Sequence, residues 1–133
     1  MSDLVWKSAT TLAALIRSRQ VSSYEVIEAF LARIEHANPL VNAIVQITAE
    51  SALDSARQAD VACRNGTMQG LLHGVPFTAK DVFDVSGVIG AVGLSERRSF
   101  VPTQDATAIA SRSARETPRS RKTDSDRASK EHF

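Results

Sequence analysis

Leu72-His73-Gly74-Val75-Pro76-Phe77-Thr78-Ala79-Lys80-Asp81 is the stretch whose reading decides the fold. Apolar residues run directly into a charged pair. The pattern predicts a strand from about Phe77 to Lys80, whose end presents a lysine and an aspartate to whatever lies beyond a sheet. Gly87, Gly90 and Gly93 then punctuate a loop. Val101-Pro102-Thr103 closes that loop, and a helix is expected to begin near Gln104-Asp105-Ala106-Thr107-Ala108-Ile109-Ala110.

Upstream, the chain reads as helices. Leu12, Leu15 and Ile16 fall on one face of a helix from about Ala9 to Arg19, with Ser8 or Thr10 as its cap. Ser22-Ser23-Tyr24-Glu25 has the form of a capping box. Val26, Ile27, Phe30, Leu31 and Ile34 then make a broad apolar stripe, and Asn38-Pro39 is expected to end the helix. Ile44, Val45 and Ile47 suggest a short strand over Asn42–Ile47. Thr48 can cap a third helix from about Ala49 to Arg64. Its buried edge is small and smooth: Ala52, Ala56, Ala59 and Cys63. Asn65-Gly66 supplies a left-handed stop.

Downstream, the expected helix loses its apolar positions within a turn. From Ser111 to His132 there is no Val, Ile, Leu, Met, Phe, Tyr or Trp. Such a segment buries too little apolar surface to offset its ordering entropy, so residues 111–133 read as a basic, disordered tail. It carries seven Lys/Arg against four Asp/Glu, hence +3, and the body over 1–110 carries nine against eleven, hence −2. The abrupt change at residues 110–111 is the signature expected of a frameshift or a misplaced gene end, which the two other reading frames would reveal.

The whole-chain charge of +1 over 133 residues argues against a dedicated nucleic-acid binder. The tail alone is too weakly charged, and too poor in aromatic residues, to argue for one. One cysteine, Cys63, allows no disulfide within the chain, and no Cys/His cluster has metal-ligand spacing. Neither a metal nor another cofactor is therefore expected. No apolar run approaches the ~18 residues of a membrane span. Met1 to Trp6 lacks the basic and apolar regions of a signal peptide, so a cytoplasmic protein with no membrane partner is expected.

The segment Leu72 to Asp81, followed by Asp84-Val85-Ser86-Gly87, resembles the lysine-bearing segment of the amidase signature family. Other landmarks follow in the same order. Thr11 to Arg19 with Val21-Ser22 resembles the family's first helix and turn. Ala32-Arg33-Ile34-Glu35 through Asn38-Pro39 and Asn42-Ala43 resembles its second helix and exit. Ala56-Arg57-Gln58-Ala59-Asp60 falls in its third helix, and Phe100 to Thr103 with Asp105-Ala106 precedes its next one.

The resemblance implies an α/β fold, a mixed sheet covered by helices, of which residues 1–110 supply the N-terminal portion. It implies a hydrolase of carboxylic amides, with a small-molecule amide as the partner of the full-length protein. Glutamine hydrolysis within a transamidation subunit is the alternative in the same family. A binding fragment with a basic tail is the alternative outside it. The family's triad is a lysine, a serine held by a cis peptide bond and a nucleophilic serine. The resemblance makes Lys80 the lysine. Both serines come from a serine- and glycine-rich segment further on, and no Gly-Ser-Ser run occurs in this chain. Gly93-Leu94-Ser95 stands where family members often have a Gly-Ser pair.

The chemistry explains why a lysine is needed. A serine hydroxyl attacks an amide only after a base takes its proton. A lysine has a reference pKa of ~10.4 and is a base only when neutral. A working general base has a pKa of ~7–8, so the complete site must favour the free amine by about 3–4 kcal/mol relative to water. Burial in a dry pocket does this. In residues 1–133 alone the lysine is expected to be exposed and inactive, the strands to lack neighbours, and the chain to be only marginally stable.

Other residues read as structural. Asp81 is expected to be a structural partner. His73 is expected to bond to backbone in a turn. Gly87, Gly90 and Gly93 lack the spacing of a phosphate cradle. Ser86 and Ser95 lie in no nucleophile elbow, and Cys63 belongs to packing.

Overall fold

The computed structural model describes residues 3–115 and 122–123. Three helices come first: α1 (Ala9–Arg17), α2 (Ser23–Val41) and α3 (Ala49–Arg64). A two-residue strand follows, β1 (Ala79–Lys80), then α4 (Thr107–Arg115) and a second two-residue strand, β2 (Lys122–Thr123). The strands pair in parallel, Ala79 with Lys122 and Lys80 with Thr123. This corrects the expectation that the strands lack neighbours.

The helices form for the reasons their sequence gives. Ser8 Oγ accepts from Thr11 N–H at 3.1 Å and caps α1. At α2, Ser22 Oγ accepts from Glu25 N–H at 3.1 Å while Glu25 Oε2 accepts from Ser22 N–H at 2.8 Å, completing the capping box. On α3 the buried edge is Ala52, Ala56, Ala59 and Cys63. Three small clusters make the core. Leu12, Ala13 and Ile16 of α1 meet Val26 of α2 and Val75. Ile27 of α2 meets Ala52 and Ala56 of α3. Ala79 of β1 meets Val85 and Ile109 of α4.

Several boundaries differ from expectation. α1 stops at Arg17, because Arg19 turns left-handed with φ 59°. Its guanidinium donates to Cys63 O and Arg64 O at 3.1 and 3.2 Å, so it binds the negative end of α3. α2 runs through Pro39 to Val41. Asn38 side-chain amide and carbonyl bond reciprocally to Ile44 O and N–H at 2.8 Å, and Asn42 turns left-handed with φ 45°. Proline's bias is overridden by a loop that folds back onto the helix end. With that fold-back, Asn42–Ile47 holds a single bridge residue, Gln46, rather than a strand. Thr48 makes no side-chain cap bond to α3. β1 is half the length expected for Phe77–Lys80. α4 continues to Arg115, where the sequence pattern had already faded. The tail expected over 111–133 lies, for 116–121 and 124–133, outside the described residues.

Asp60 joins the second and third helices. Its carboxylate accepts from the backbone N–H groups of Ser23 and Tyr24 at 2.7 and 3.1 Å, the open amides of the first turn of α2. An anion at that end also meets a favourable helix dipole. Asp60→Ala removes two charge-assisted bonds and is expected to cost about 1.5–3 kcal/mol, measured as a shift in the urea midpoint at unchanged slope. A cost below about 0.5 kcal/mol, the range of ordinary surface changes, would contradict the clamp.

Candidate functional site

The segment leading to Lys80 is fixed from both sides. His73 is buried, and its ring is held by backbone alone. Nδ1 accepts from Gln69 N–H at 3.2 Å, so the proton sits on Nε2, which donates to Ala59 O at 3.0 Å. Both ring nitrogens are thus committed, as a turn histidine requires. Gly74 O accepts a 2.6 Å bond from the buried Ser23 Oγ at the start of α2. Val75, 2% exposed, locks the next residue into the core of α1 and α2. From this anchor the chain passes through Phe77 and Thr78 into β1.

Lys80 ends β1 with its side chain exposed. The chain then reverses: Phe83 N–H donates to Lys80 O at 3.0 Å. Asp81, 4% exposed, turns the other way from Lys80, and its Oδ2 accepts from Val92 N–H at 2.5 Å. Val92 is left-handed, φ 51°, followed by Gly93 at φ 69°. The two charged neighbours therefore separate: the lysine faces solvent and the aspartate organises the loop beneath it. Val92 was illegible in the sequence, since nothing local marks a valine for a positive φ.

The loop after β1 is closed by its own backbone. Gly87 N–H donates to Pro102 O at 3.0 Å and Gly90 N–H to Phe100 O at 2.8 Å. Ser86 N–H donates to Asp105 Oδ1 at 2.8 Å and its hydroxyl to Thr103 O at 3.1 Å. Ala106 N–H donates to Asp84 O at 2.8 Å, joining the start of α4 to the loop. Arg97 reaches Asp84 at 3.3 Å and lies over the Phe100 ring, 4.3 Å from its centroid. The amides of Gly87 and Gly90 are thus spent within the loop. Ser86 is a loop tie. Ser95 opens an exposed turn of 3-10 helix, Ser95–Arg97. Cys63 is buried and its thiol donates to Ile16 O at 3.4 Å. Among the described residues no group of three His, Cys, Asp or Glu could hold a metal ion, and no helix is long and apolar enough to cross a membrane.

Residues 25–115 match the amidase family model. The chain belongs to the amidase signature family. It is 39% identical over 109 residues to a glutamyl-tRNA(Gln) amidotransferase subunit of Acidothermus cellulolyticus, covering 82% of this chain and 22% of that one. It is 36% identical over 107 residues to an acylamidase of Rhodococcus erythropolis, covering 80% of this chain and 22% of that one. A solved bacterial aryl acylamidase of the amidase signature family superposes with a TM-score of 0.82 at 27% identity. That match takes in 89% of this chain and 25% of that one. The chain thus spans about a fifth of the length of these curated relatives. The fold is the α/β amidase-signature fold, represented here by its helical opening and little of its sheet.

Glu25 shows how local chemistry sets the frame of the site. The Ser22 backbone N–H, then the Ser22 hydroxyl, hold its carboxyl below the usual carboxylate value of 4.5. A lowered folded value means the capping box contributes fully above the unfolded value and is lost as pH falls through the folded one. Because the carboxyl is solvent-exposed, the pH-linked part is expected to stay below about 0.5 kcal/mol. Glu25→Gln should remove that acid-side loss in a pH series of unfolding midpoints. An unchanged acid limb would contradict it.

Proposed function

We propose that Lys80 is the catalytic lysine of an amidase-type hydrolase that acts on carboxylic amides. The observation that carries this reading is the placement of Lys80: an exposed lysine at the end of β1, on a segment anchored by His73, Gly74 and Val75, inside the family match. In the complete domain, two serines from further chain would stand beside it. The neutral amine takes a proton, relayed through the first serine, from the hydroxyl of the second. That oxygen bonds to the amide carbon, and backbone N–H groups stabilise the oxyanion. The C–N bond breaks, the amine or ammonia leaves with the proton, and water then releases the carboxylic acid. Residues 1–110 are read as the N-terminal part of this domain and 111–133 as its basic tail, whose first residues continue α4 to Arg115 and whose Lys122–Thr123 pairs with β1.

The test is a covalent chimera in which residues 1–110 replace the matching segment of the Rhodococcus acylamidase. It is expected to hydrolyse simple amides, whereas residues 1–133 alone are expected not to. An inactive but folded chimera would overturn the assignment. The amidotransferase relative favours a second reading, in which the same lysine serves glutamine hydrolysis and ammonia passes to a partner. Glutamine as the preferred amide of the chimera would not decide this, because most of the chimera's chain is the acylamidase's own. Assay of the gene's complete product, with glutamine and with simple amides, would.

A further inference from the structure

The turn at residues 91–94 carries strain that its sequence does not call for. Leu94 N–H donates to Ala91 O at 2.8 Å, and both central residues are left-handed, Val92 at φ 51° and Gly93 at φ 69°. This is the pattern of a type I′ turn, whose first central position favours Asn, Asp or Gly. A β-branched residue there is an outlier. It persists only where its surroundings over-determine it, and such outliers cluster at functional sites.

The surroundings do hold it. Gly90 N–H donates to Phe100 O at 2.8 Å and Arg97 N–H to Leu94 O at 3.2 Å, so both ends of the turn are tied. Gln46 Nε2 donates to Ile89 O at 2.6 Å from outside the loop. The tie at Val92 itself comes from Asp81, whose Oδ2 accepts the Val92 N–H. Asp81 is 4% exposed, and a polar group so buried is costly unless bonded, so aspartate and turn hold each other.

Asp81 directly follows Lys80. Successive residues of a strand point to opposite faces, and here Ala79 is buried, Lys80 exposed and Asp81 buried. A fixed Asp81 side chain therefore fixes the backbone at the end of β1. We propose that Asp81 is a positioning residue for Lys80: anchored on the N–H of the strained Val92, it sets the direction in which the lysine leaves the strand, and touches no substrate itself. This rests on the hydrolase reading above for what the amine does.

The test uses two preparations. The first is the 133-residue chain, followed by urea unfolding and by nitrogen-15 relaxation. Val92→Asn suits a left-handed turn and is expected to raise the urea midpoint. In an Asp81→Ala background the gain should fall to about half or less, because the turn is then free to relax. Asp81→Ala should also lower the backbone order parameter of Lys80 from about 0.85, a rigid value, to below about 0.6, a flexible one. Asp60→Ala, which loosens α2 against α3, should leave that parameter as it is. The second preparation is the active chimera with the acylamidase, assayed on one simple amide under conditions where every variant is folded. There Asp81→Ala is expected to lower kcat about 100-fold with KM changed less than about twofold, the order of loss that a 1 Å misplacement brings. Asp81→Asn, whose Oδ1 can still accept from Val92 N–H, should recover at least about tenfold of that loss. Asp60→Ala should lower kcat less than about threefold.

An equal gain from Val92→Asn with and without Asp81, or a Lys80 order parameter indifferent to Asp81→Ala, would overturn the proposal. So would an active chimera in which Asp81→Ala keeps its turnover, or in which Asp60→Ala loses as much. Failure of Asp81→Asn as complete as that of alanine would also overturn it, since charge rather than the bond to Val92 would then be the agent. An inactive but folded parent chimera would sink the hydrolase reading, and the first preparation alone would then decide whether Asp81 orients position 80.

Discussion

Lys80→Met in a complete, active amidase-signature domain is expected to lower turnover about 10³-fold or more, with little change in KM. Methionine keeps an unbranched stem of nearly the same length, with sulfur in place of the δ-methylene, and lacks the amine. Lys80's main chain, which pairs with β2 and accepts from Phe83 N–H at 3.0 Å, is untouched. The side chain is exposed in these residues, so its loss leaves no hole in the core. On the proposed assignment, what is lost is the base. A positioned general base contributes ~10²–10⁴-fold, and losses within a unit that acts together lie at the upper end. Lys80→Arg separates the two ways a lysine can act. Guanidinium keeps the positive charge but does not deprotonate in proteins. If the amine is the base, arginine fails as fully as methionine. If position 80 only supplies charge, arginine keeps most of the turnover, and the assignment falls. Steady-state rates on one simple amide, with far-UV dichroism to confirm the fold, decide between them.

The helices were legible in the sequence because their signals are local. The capping box at Ser22 and Glu25, the alanine edge of α3 and the stop at Asn65-Gly66 each act within a turn or two, and each stands as the residues suggested. The expected strand Asn42–Ile47 failed because β-structure depends on partners. Its apolar residues Ile44, Val45 and Ile47 are real, but Asn38 captures Ile44 and ties the segment to the end of α2. Pro39 misled for the same reason: a tie from beyond the helix end outweighed a nearest-neighbour bias.

At the candidate site, the family resemblance over Leu72 to Asp81 is what points to Lys80, while the residues themselves were enough to assign His73 and Asp81 to structure, where their backbone bonds place them. Neither could supply Val92, which donates to Asp81 from a left-handed backbone. Nor could either reveal that Asp60, part of a recognisable run on α3, holds the start of α2. Both are contacts between segments distant in sequence, and no local periodicity encodes them.

Gly74→Ala is expected to destabilise the chain by about 2–5 kcal/mol, because two costs fall on one atom. The first is conformational. Gly74 has φ +79°, where a side chain costs about 1–2 kcal/mol. The second is spatial. A Cβ here would lie 3.1 Å from Ser23 Cβ, 3.2 Å from Ser23 Oγ and 3.3 Å from Ile16 Cγ2. Ser23 and Ile16 are 0% and 1% exposed, so neither can swing into solvent, and relieving the crowding means moving α1 or α2. Such overpacking costs about 1–3 kcal/mol. It also strains the 2.6 Å bond from Ser23 Oγ to Gly74 O.

Gly66 and Gly87 provide the control. Their φ values, +72° and +76°, are as positive, but nothing lies within 4 Å of an added Cβ. Alanine at either should therefore incur only the conformational part, about 1–2 kcal/mol. The excess at position 74 measures the close approach between the turn and the first residues of α2. Urea unfolding followed by far-UV dichroism gives all three values in one series. If Gly74→Ala loses no more than Gly66→Ala, the turn is not wedged against α2. The segment running from that turn to Lys80 would then owe its position to His73, Val75 and the Ser23 Oγ bond to Gly74 O. If the excess appears, the same glycine that lets the chain touch Ser23 also sets where the lysine emerges. In an active chimera the substitution should then lower turnover even below its unfolding midpoint, where the protein remains folded.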